Sequence, residues 1–209
     1  MIKYLLFDLD NTLYSPNYGL EENVGKRIRE YIAQFLKRPI EEAWEQRRLS
    51  APNYGTALEW LIAEKNFTDP EDYLSAVHPP DEADTLPPNP ALKSFLEGLA
   101  LPKAILTNSP CEHADLILRK LGITGLFTHI FDIRLNNNYI GKPSAQVYRK
   151  ALDILGVSID EVLFIDDFPP YAKGFIDIGG KALLIDENNI HPDYPHPRIK
   201  SLVELTEFI

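Results

Sequence analysis

The chain has 209 residues, of which 44% are hydrophobic, and its formal net charge at pH 7 is -10. This length suits one sizeable core with a smaller second unit, and the negative charge disfavours nucleic acid as a partner, because nucleic-acid-binding proteins usually present a basic face. A single cysteine excludes an internal disulfide bond and favours a reducing compartment, and no apolar run approaches the roughly 18 residues of a membrane span. We therefore expect a cytoplasmic protein without a membrane partner.

The first predicted element is a buried strand over residues 2–7, a predominantly apolar stretch that ends in Asp8 and Asp10. Because side chains alternate along an extended chain, both carboxylates can project into one crevice, at the edge of an α/β sheet where ligands bind. Two carboxylates this close repel each other unless a divalent cation or a lysine lies between them, or one keeps its proton. The strand therefore predicts a partner for its acids further along the chain.

Residues 16 to about 78 have a helical pattern instead. Leu20, Val24 and Ile28 recur at four-residue spacing with charged residues between them, and no strand-like alternation interrupts the pattern. A proline-rich strip then runs from residue 78 to residue 90 and has the composition of a linker. We predict a helical segment over residues 16–89, inserted into a core made of residues 1–15 and 90–209.

From residue 90 onward, predicted helices alternate with short apolar strands. The strands are predicted at residues 103–107, 129–135, 162–165 and 182–185. Repeated strand-helix-strand crossovers are typical of a parallel sheet with helices on both faces and right-handed connections. The expected fold class is therefore α/β, with a three-layer Rossmann-like core.

Three later segments place polar groups at the same edge of the predicted sheet: Thr107-Asn108, Lys142 and Asp166-Asp167. Each of them alone has an ordinary explanation, as a helix cap or as a solvated loop lysine. Together with the acidic pair of the first strand, they supply a nucleophile, an acid, anion donors, a cation and hard oxygen ligands. Phosphoryl transfer requires this combination, because positioning and charge neutralisation supply most of its catalysis.

In this order, the segments resemble the four motifs of the haloacid dehalogenase-like hydrolase superfamily: Asp8-Leu9-Asp10-Asn11-Thr12, Thr107-Asn108, Lys142 and Asp166-Asp167. The resemblance covers the whole chain, since that superfamily places a helical cap between its first two motifs. Within the superfamily, three segments look like the branch that contains pyrimidine 5'-nucleotidases: Asp8-Leu9-Asp10-Asn11-Thr12-Leu13-Tyr14, Tyr54-Gly55-Thr56-Ala57-Leu58 in the helical segment, and Thr107-Asn108.

The resemblance implies a phosphatase. Asp8 would attack phosphorus to give an aspartyl-phosphate, and Asp10 would protonate the leaving oxygen and later deprotonate the hydrolytic water. Mg²⁺ would be held by the carboxylates of Asp8 and Asp166 and by the backbone carbonyl of Asp10. A dehalogenase has no use for a leaving-group acid at the position of Asp10. That residue therefore favours hydrolysis of a small soluble phosphomonoester, with nucleoside 5'-monophosphates among the candidates.

The remaining motif residues would surround the phosphoryl group. The resemblance implies that Thr107 and the amide of Asn108 hold its oxygens, and that Lys142 binds it while screening the nucleophile from the later acids. Asp167 would orient the lysine or a water on the metal. Where the family usually continues with a small hydroxyl residue and then an asparagine, residues 168–171 are Phe-Pro-Pro-Tyr, which puts the surroundings of the metal site in question.

Other candidate residues lie outside the motifs. Tyr54 and Trp60 in the helical segment are candidates for contact with the leaving group, although packing between helices is the usual role of such residues. Cys111 is better explained as a small buried hydrophobe than as a reactive thiolate. The five histidines form no metal-ligand spacing along the sequence.

Two alternative functions use similar residues. A phospho-accepting receiver module also has a parallel sheet, an acceptor aspartate, a lysine and Mg²⁺, but it carries its acidic pair on the first strand and its acceptor on the third, without a helical insert. A phosphomutase on the same scaffold would require a sugar phosphate and a phosphorylated activator. The sequence specifies neither the substrate nor an oligomeric state.

Overall fold

A computed structural model describes residues 1–136 and 138–209. Within these residues there are six strands and eight α-helices. The strands are Tyr4–Phe7 (β1), Lys103–Leu106 (β2), Ile130–Phe131 (β3), Val162–Asp166 (β4), Lys181–Ile185 (β5) and Arg198–Ile199 (β6). The helices are Leu20–Leu36 (α1), Ile40–Ser50 (α2), Ala57–Lys65 (α3), Pro70–Val77 (α4), Pro90–Gly98 (α5), Cys111–Leu121 (α6), Ala145–Leu155 (α7) and Pro169–Asp177 (α8).

The strands form one parallel sheet in the order β3-β2-β1-β4-β5-β6. The chain leaves β1 toward β2 on one side and later returns to pair β4 on the other side, so the strand order reverses at β1. In open α/β sheets such a reversal opens a crevice at the carboxyl ends of the strands, where ligands bind. The predicted α/β class is thus confirmed, and the end of β1 is the expected place for a site.

Two details of the sheet differ from the sequence prediction. The strand expected over residues 129–135 is shorter, because β3 spans only Ile130–Phe131 and a 3₁₀ turn follows at Ile133–Leu135. The carboxylate of Asp132 accepts a hydrogen bond from the backbone N–H of Arg134 and so bends the chain out of the sheet. The short edge strand β6 has no counterpart in the prediction.

Alternation along β1 divides the core into two apolar layers. Leu5 and Phe7 pack on the face covered by α5 and α6, whereas Tyr4 and Leu6 pack on the face covered by α7 and α8. A strand buried on both faces must be apolar throughout, which is the pattern that the first strand shows.

The helices α1 to α4 share a third apolar cluster, separate from the two layers of the sheet. Helix α1 is also tied to the strip that leads back to the sheet, since the guanidinium of Arg27 donates to the backbone carbonyl of Val77 and pairs with Glu82 at 2.8 Å. The predicted division into residues 16–89 and the remainder stays a prediction. In the described part of the chain, no helix has the length and apolar character that a membrane span requires.

Candidate active site

Asp8 and Asp10 lie directly after β1, and both are buried. The backbone N–H of Asp8 still bonds the carbonyl of Ile165 in β4 at 2.8 Å, so the sheet holds its backbone in place. Leu9 between them packs in the apolar core, and Asn11 takes a positive φ of 54° that turns the chain away from the strand. Because Leu9 points into the core, Asp8 and Asp10 on either side of it both direct their carboxylates into the cavity, as predicted.

Lys142 is fully buried between two of the acids. Its Nζ lies 2.6 Å from Oδ1 of Asp8 and 2.6 Å from Oδ2 of Asp166. Burial alone would lower the pKa of Lys142, but the two carboxylates outweigh it and raise the pKa above its ordinary value. The lysine therefore keeps its positive charge and holds the ends of β1 and β4 at a set separation.

Asn108 positions the loop that carries this lysine. Its Oδ1 accepts from the backbone N–H of Lys142 at 2.7 Å, and its Nδ2 donates to the backbone carbonyl of Lys142 at 3.1 Å. A Cβ on Gly141 would lie 2.3 Å from the same Oδ1, so glycine is required there. The side-chain amide of Asn108 is thus occupied by the chain itself, and only its backbone N–H is left for the predicted role at a phosphoryl group.

Thr107 and Ser109 connect the end of β2 to Asp10. The Oγ1 of Thr107 accepts from the backbone N–H of Ser109 at 3.0 Å, and the Ser109 hydroxyl donates to Oδ2 of Asp10 at 2.9 Å. Thr107 is buried and lines the same cavity as Asp8 and Asp10. The structure therefore brings the second motif against the first.

Asp10 receives two further hydrogen bonds that the sequence analysis missed. The hydroxyl of Tyr14 donates to its Oδ1 at 2.6 Å, and Nε2 of His113 lies 2.7 Å from the same oxygen. Burial would raise the pKa of Asp10, but His113 and Tyr14 outweigh it and hold the pKa well below its usual range. Tyr14 lies four residues after Asp10, a spacing that could have suggested the contact.

His113 is in turn bonded through Nδ1 to the buried carboxylate of Glu82. Burial would lower the pKa of His113, but Asp10 and Glu82 raise it to about 10, so the imidazole carries two protons near neutral pH. His78 also contacts Glu82, at 3.2 Å. The histidines have no metal-ligand spacing along the sequence, but α6 and the strip after α4 bring His78, Glu82 and His113 together in space.

Asp8, Asp166 and Asp167 form an acidic cluster whose carboxylate oxygens lie within 4.8 Å of one another. Burial, together with the neighbouring acids, raises the pKa of Asp8 to about 7 and that of Asp167 to about 9. Burial is the larger cause of both pKa shifts, repulsion between the acids adds to it, and Lys142 offsets them only in part. A small divalent cation prefers carboxylate oxygens and would supply the missing positive charge, so the donor set fits such an ion.

The unusual segment at residues 168–171 supports this cluster in its own way. The backbone N–H of Phe168 donates to Oδ1 of Asp166 at 2.8 Å, and α8 begins with Pro169, where the missing N–H leaves no bond unmade. The ring of Tyr171 lies 4.9 Å from Nζ of Lys142, in cation–π contact. This segment therefore contacts the lysine through an aromatic ring.

A cavity of about 400 Å³ opens over these residues, between the sheet edge and the helices α1 to α4. Its sheet side includes Asp8, Asp10, Thr107, Asn108 and Asp167, and its helical side includes Trp44, Arg47, Gly55, Leu58 and Tyr73. A volume of this order suits a small molecule. Motif residues from β1, β2 and the end of β4 thus line one partly open cavity.

Two predicted contacts of the helical segment need correction. Trp60 is fully buried in the shared apolar cluster, where its Nε1 donates to Glu64 at 3.0 Å, and it does not line the cavity. Tyr54 packs against the same cluster and is likewise absent from the lining. The neighbouring Gly55 makes the close approach instead, since a Cβ there would lie 2.3 Å from the backbone carbonyl of Lys142.

Cys111 begins helix α6 but does not act as a thiolate. Burial and the carboxylate of Glu112 raise the pKa of Cys111 to about 11, so the thiol stays protonated.

The parallel α/β sheet carries acids at the ends of β1 and β4, and the comparisons with known proteins give the family. A family model for haloacid dehalogenase-like hydrolases matches residues 2–179. The chain belongs to the haloacid dehalogenase-like hydrolase family.

Individual relatives are more distant. Phosphate metabolism protein 8 of Saccharomyces cerevisiae is 25% identical over 193 residues, which cover 85% of this chain and 59% of the yeast protein. The L-2-haloacid dehalogenase of Xanthobacter autotrophicus is 16% identical with a TM-score of 0.63, covering 100% of this chain and 98% of the other. A magnesium-bound HAD-hydrolase of Bacillus subtilis is 17% identical with a TM-score of 0.59, covering 100% and 98%.

Proposed function

We propose that the protein is a Mg²⁺-dependent phosphatase that hydrolyses a small phosphomonoester through an aspartyl-phosphate on Asp8. The observation that carries this proposal is the environment of Asp10. Its carboxylate lies on the cavity beside the nucleophile and is held by Tyr14, Ser109 and His113. A dehalogenase expels a halide ion, which needs no proton, whereas an alkoxide leaving group does. A carboxylate that is linked here to a protonated histidine therefore favours phosphate esters over haloacids.

In the first step an oxygen of Asp8 attacks phosphorus, the bond from phosphorus to the leaving oxygen breaks, and the leaving oxygen takes a proton that His113 supplies through the carboxylate of Asp10. That proton is available because His113, with its raised pKa, shares one with Oδ1 of Asp10 through Nε2. In the second step water attacks the aspartyl-phosphate while Asp10 takes its proton, which regenerates the free carboxylate of Asp8. Lys142 and the backbone N–H of Asn108 hold the phosphoryl oxygens throughout.

Mg²⁺ would be held by the carboxylates of Asp8 and Asp166 and the backbone carbonyl of Asp10, with Asp167 alongside, and it would neutralise charge on the transferred phosphoryl group. The acidic cluster supports this assignment, as does the magnesium-bound relative of B. subtilis. The cavity over the acids favours turnover of a small molecule over a receiver role, and nothing in the charge of the chain favours nucleic acid. The likeness of residues 54–58 to pyrimidine 5'-nucleotidases makes nucleoside 5'-monophosphates the first natural substrates to examine.

The test is phosphate release from a panel of aryl phosphates, sugar phosphates and nucleotides, with Mg²⁺ and with EDTA. We expect Mg²⁺-dependent turnover that Asp8→Asn abolishes without lowering the melting temperature. Chloride release from 2-chloropropionate with no phosphate release would overturn the proposal in favour of a dehalogenase. Retention of more than a few per cent of turnover by a folded Asp8→Asn variant would refute the covalent mechanism.

A further inference from the structure

Arg47 lies on helix α2 in the wall of the cavity, and only 8% of it is exposed. Its Nη2 makes one long hydrogen bond, 3.4 Å, to the backbone carbonyl of Tyr54. Its Nε and Nη1 are buried and have no acceptor among residues 1–136 and 138–209. Two of the three guanidinium nitrogens thus lack a partner in the protein.

No described carboxylate lies within 4.0 Å of this guanidinium. Glu59 on α3 attracts the guanidinium of Arg47 electrostatically without bonding to it. Its carboxylate accepts a hydrogen bond from the backbone N–H of Gly55 at 3.0 Å instead. The adjacent Arg48 offers a direct contrast, because it is exposed and both its Nε and its Nη2 donate to Glu45. Helix α2 therefore carries a paired arginine on its outer surface and an unpaired one inside.

Burying a cation without a partner is unfavourable by several kcal/mol, so the free protein is less stable for keeping Arg47 inside. A ligand that supplies the missing acceptors would explain why an unpaired arginine is kept here, since residues that bind a ligand often reduce the stability of the free protein. A planar guanidinium donates best to oxygen acceptors. The rest of the helical wall, including Trp44, Leu58 and Tyr73, is aromatic or aliphatic and would pack against an apolar body.

We propose that Arg47 binds acceptor oxygens at the far end of the leaving group, so that the natural substrate is a phosphomonoester whose alcohol also carries a carbonyl, carboxylate or second phosphate oxygen. The phosphoryl end is held by the sheet edge and the acceptor end by α2. This inference rests on the proposed phosphatase activity, and it names the substrate feature that the helical wall selects.

The experiment compares three probes that differ only at the far end of the ring: phenyl phosphate, 4-carbamoylphenyl phosphate and 4-carboxyphenyl phosphate. A second pair, ribose 5-phosphate and uridine 5'-monophosphate, tests a longer leaving group with carbonyl acceptors. Each is assayed with the wild type, with Arg47→Met and with the matched control Arg48→Met. The ratio of kcat/KM between two probes is compared between each variant and the wild type, because differences in leaving-group reactivity are the same in both and cancel.

We expect Arg47→Met to lower kcat/KM roughly tenfold to a hundredfold more for the probes with an acceptor than for phenyl phosphate or ribose 5-phosphate. The loss should appear mainly in KM, because a hydrogen bond to a charged group is lost. Arg48→Met should leave the ratios unchanged. The melting temperature of Arg47→Met should equal or exceed that of the wild type. A larger loss on the carboxylate than on the amide would identify an anionic acceptor, and equal losses would identify a neutral one.

An equal loss on all probes, or a lower melting temperature without a selective loss, would overturn the inference and make Arg47 structural. Failure of the wild type to hydrolyse any probe would instead refute the proposed function. In that case calorimetric binding of 4-carboxyphenyl phosphate and phenyl phosphate to wild type and Arg47→Met still decides the role of Arg47, since only a ligand-binding arginine makes the first bind tighter.

Discussion

The two walls of the cavity treat charge in opposite ways. On the sheet side, Lys142 is bonded to Asp8 and Asp166, and His113 is bonded to Asp10 and Glu82. On the helical side, Arg47 is buried without a carboxylate among the described residues. Before a ligand arrives, Lys142 and His113 on the sheet side therefore already have carboxylate partners, and the acidic cluster there is left for a divalent cation. This side is suited to one reaction. The helical side is completed by the ligand and is suited to choosing it.

The largest expected effect is at Lys142, whose ion pairs hold the sheet side together. Lys142→Met leaves two buried carboxylates without their cation, so we expect the free energy of unfolding to fall by about 3–5 kcal/mol and turnover to be lost. Lys173→Met is the matched control, because Lys173 forms an exposed pair with Asp177 that contributes at most about 1 kcal/mol. Urea unfolding of both variants checks this. Equal stability of the two would show that the lysine does not hold the sheet side together.

His113 is the next largest expected effect. His113→Asn removes the Nε2 contact to Asp10, so proton donation to the leaving oxygen suffers. We expect kcat on alkyl phosphates to fall roughly a hundredfold, and kcat on 4-nitrophenyl phosphate to change little, because an activated leaving group needs no proton. The exposed His129→Asn serves as control. Losses of the same size on both substrates would count against a proton on this pair.

How much of this was visible in the sequence depends on which wall is considered. Asp8, Thr107 and Asp166 were predictable, because carboxyl ends of parallel strands meet at one edge and each residue directly follows an apolar run. His113 and Glu82 were not, because their contact depends on how α6 packs against the strip after α4, which no local spacing encodes.

The helical wall was the less predictable one because residue type alone does not give helix orientation. Trp60 was chosen as a large aromatic, yet its side of α3 faces the shared apolar cluster. Trp44 and Arg47 are three residues apart and share the side of α2 that faces the cavity. The spacing was visible in the sequence, but the direction of that side depends on tertiary packing.

Gly55 tests whether the two walls must touch. Gly55→Ala places a Cβ 2.3 Å from the carbonyl of Lys142, and backbone cannot move aside cheaply. We expect roughly a tenfold loss of kcat/KM on every phosphate ester, because the lysine loop or the helices shift. Gly98→Ala is the control, since nothing lies within 4 Å of a Cβ there. A selective loss on acceptor-bearing probes, like that expected of Arg47→Met, would show instead that the glycine serves only the ligand.

Asp186 has the smallest expected effect on activity, because it lies outside the cavity lining. It also contrasts most clearly with Arg47, because it is a buried charge that is fully paired. Its carboxylate accepts from the backbone N–H groups of Ile190 and His191 at 2.8 and 2.9 Å and from Nη1 of Arg198 at 2.6 Å. Burial would raise the pKa of Asp186, but Arg198 and the two N–H groups outweigh it, so the folded pKa lies below the ordinary value. The stabilisation is therefore complete above the unfolded pKa of about 3.9 and is lost as pH falls through the folded value.

We expect Asp186→Asn to reduce the free energy of unfolding by about 1–3 kcal/mol at pH 7, because an uncharged amide accepts these bonds poorly and turns a donor toward them. The difference from wild type should stay constant between pH 7 and pH 5 and shrink below about pH 4, as the wild-type carboxylate protonates. Urea unfolding across this range checks it, with the exposed Asp193→Asn in the same loop as control. Probe selectivity should not change. A stability difference that persists at low pH would mean that the shape of the Asp186 side chain matters rather than its charge. A change in probe selectivity would mean that a paired charge outside the cavity also affects substrate choice, which would contradict the contrast with Arg47.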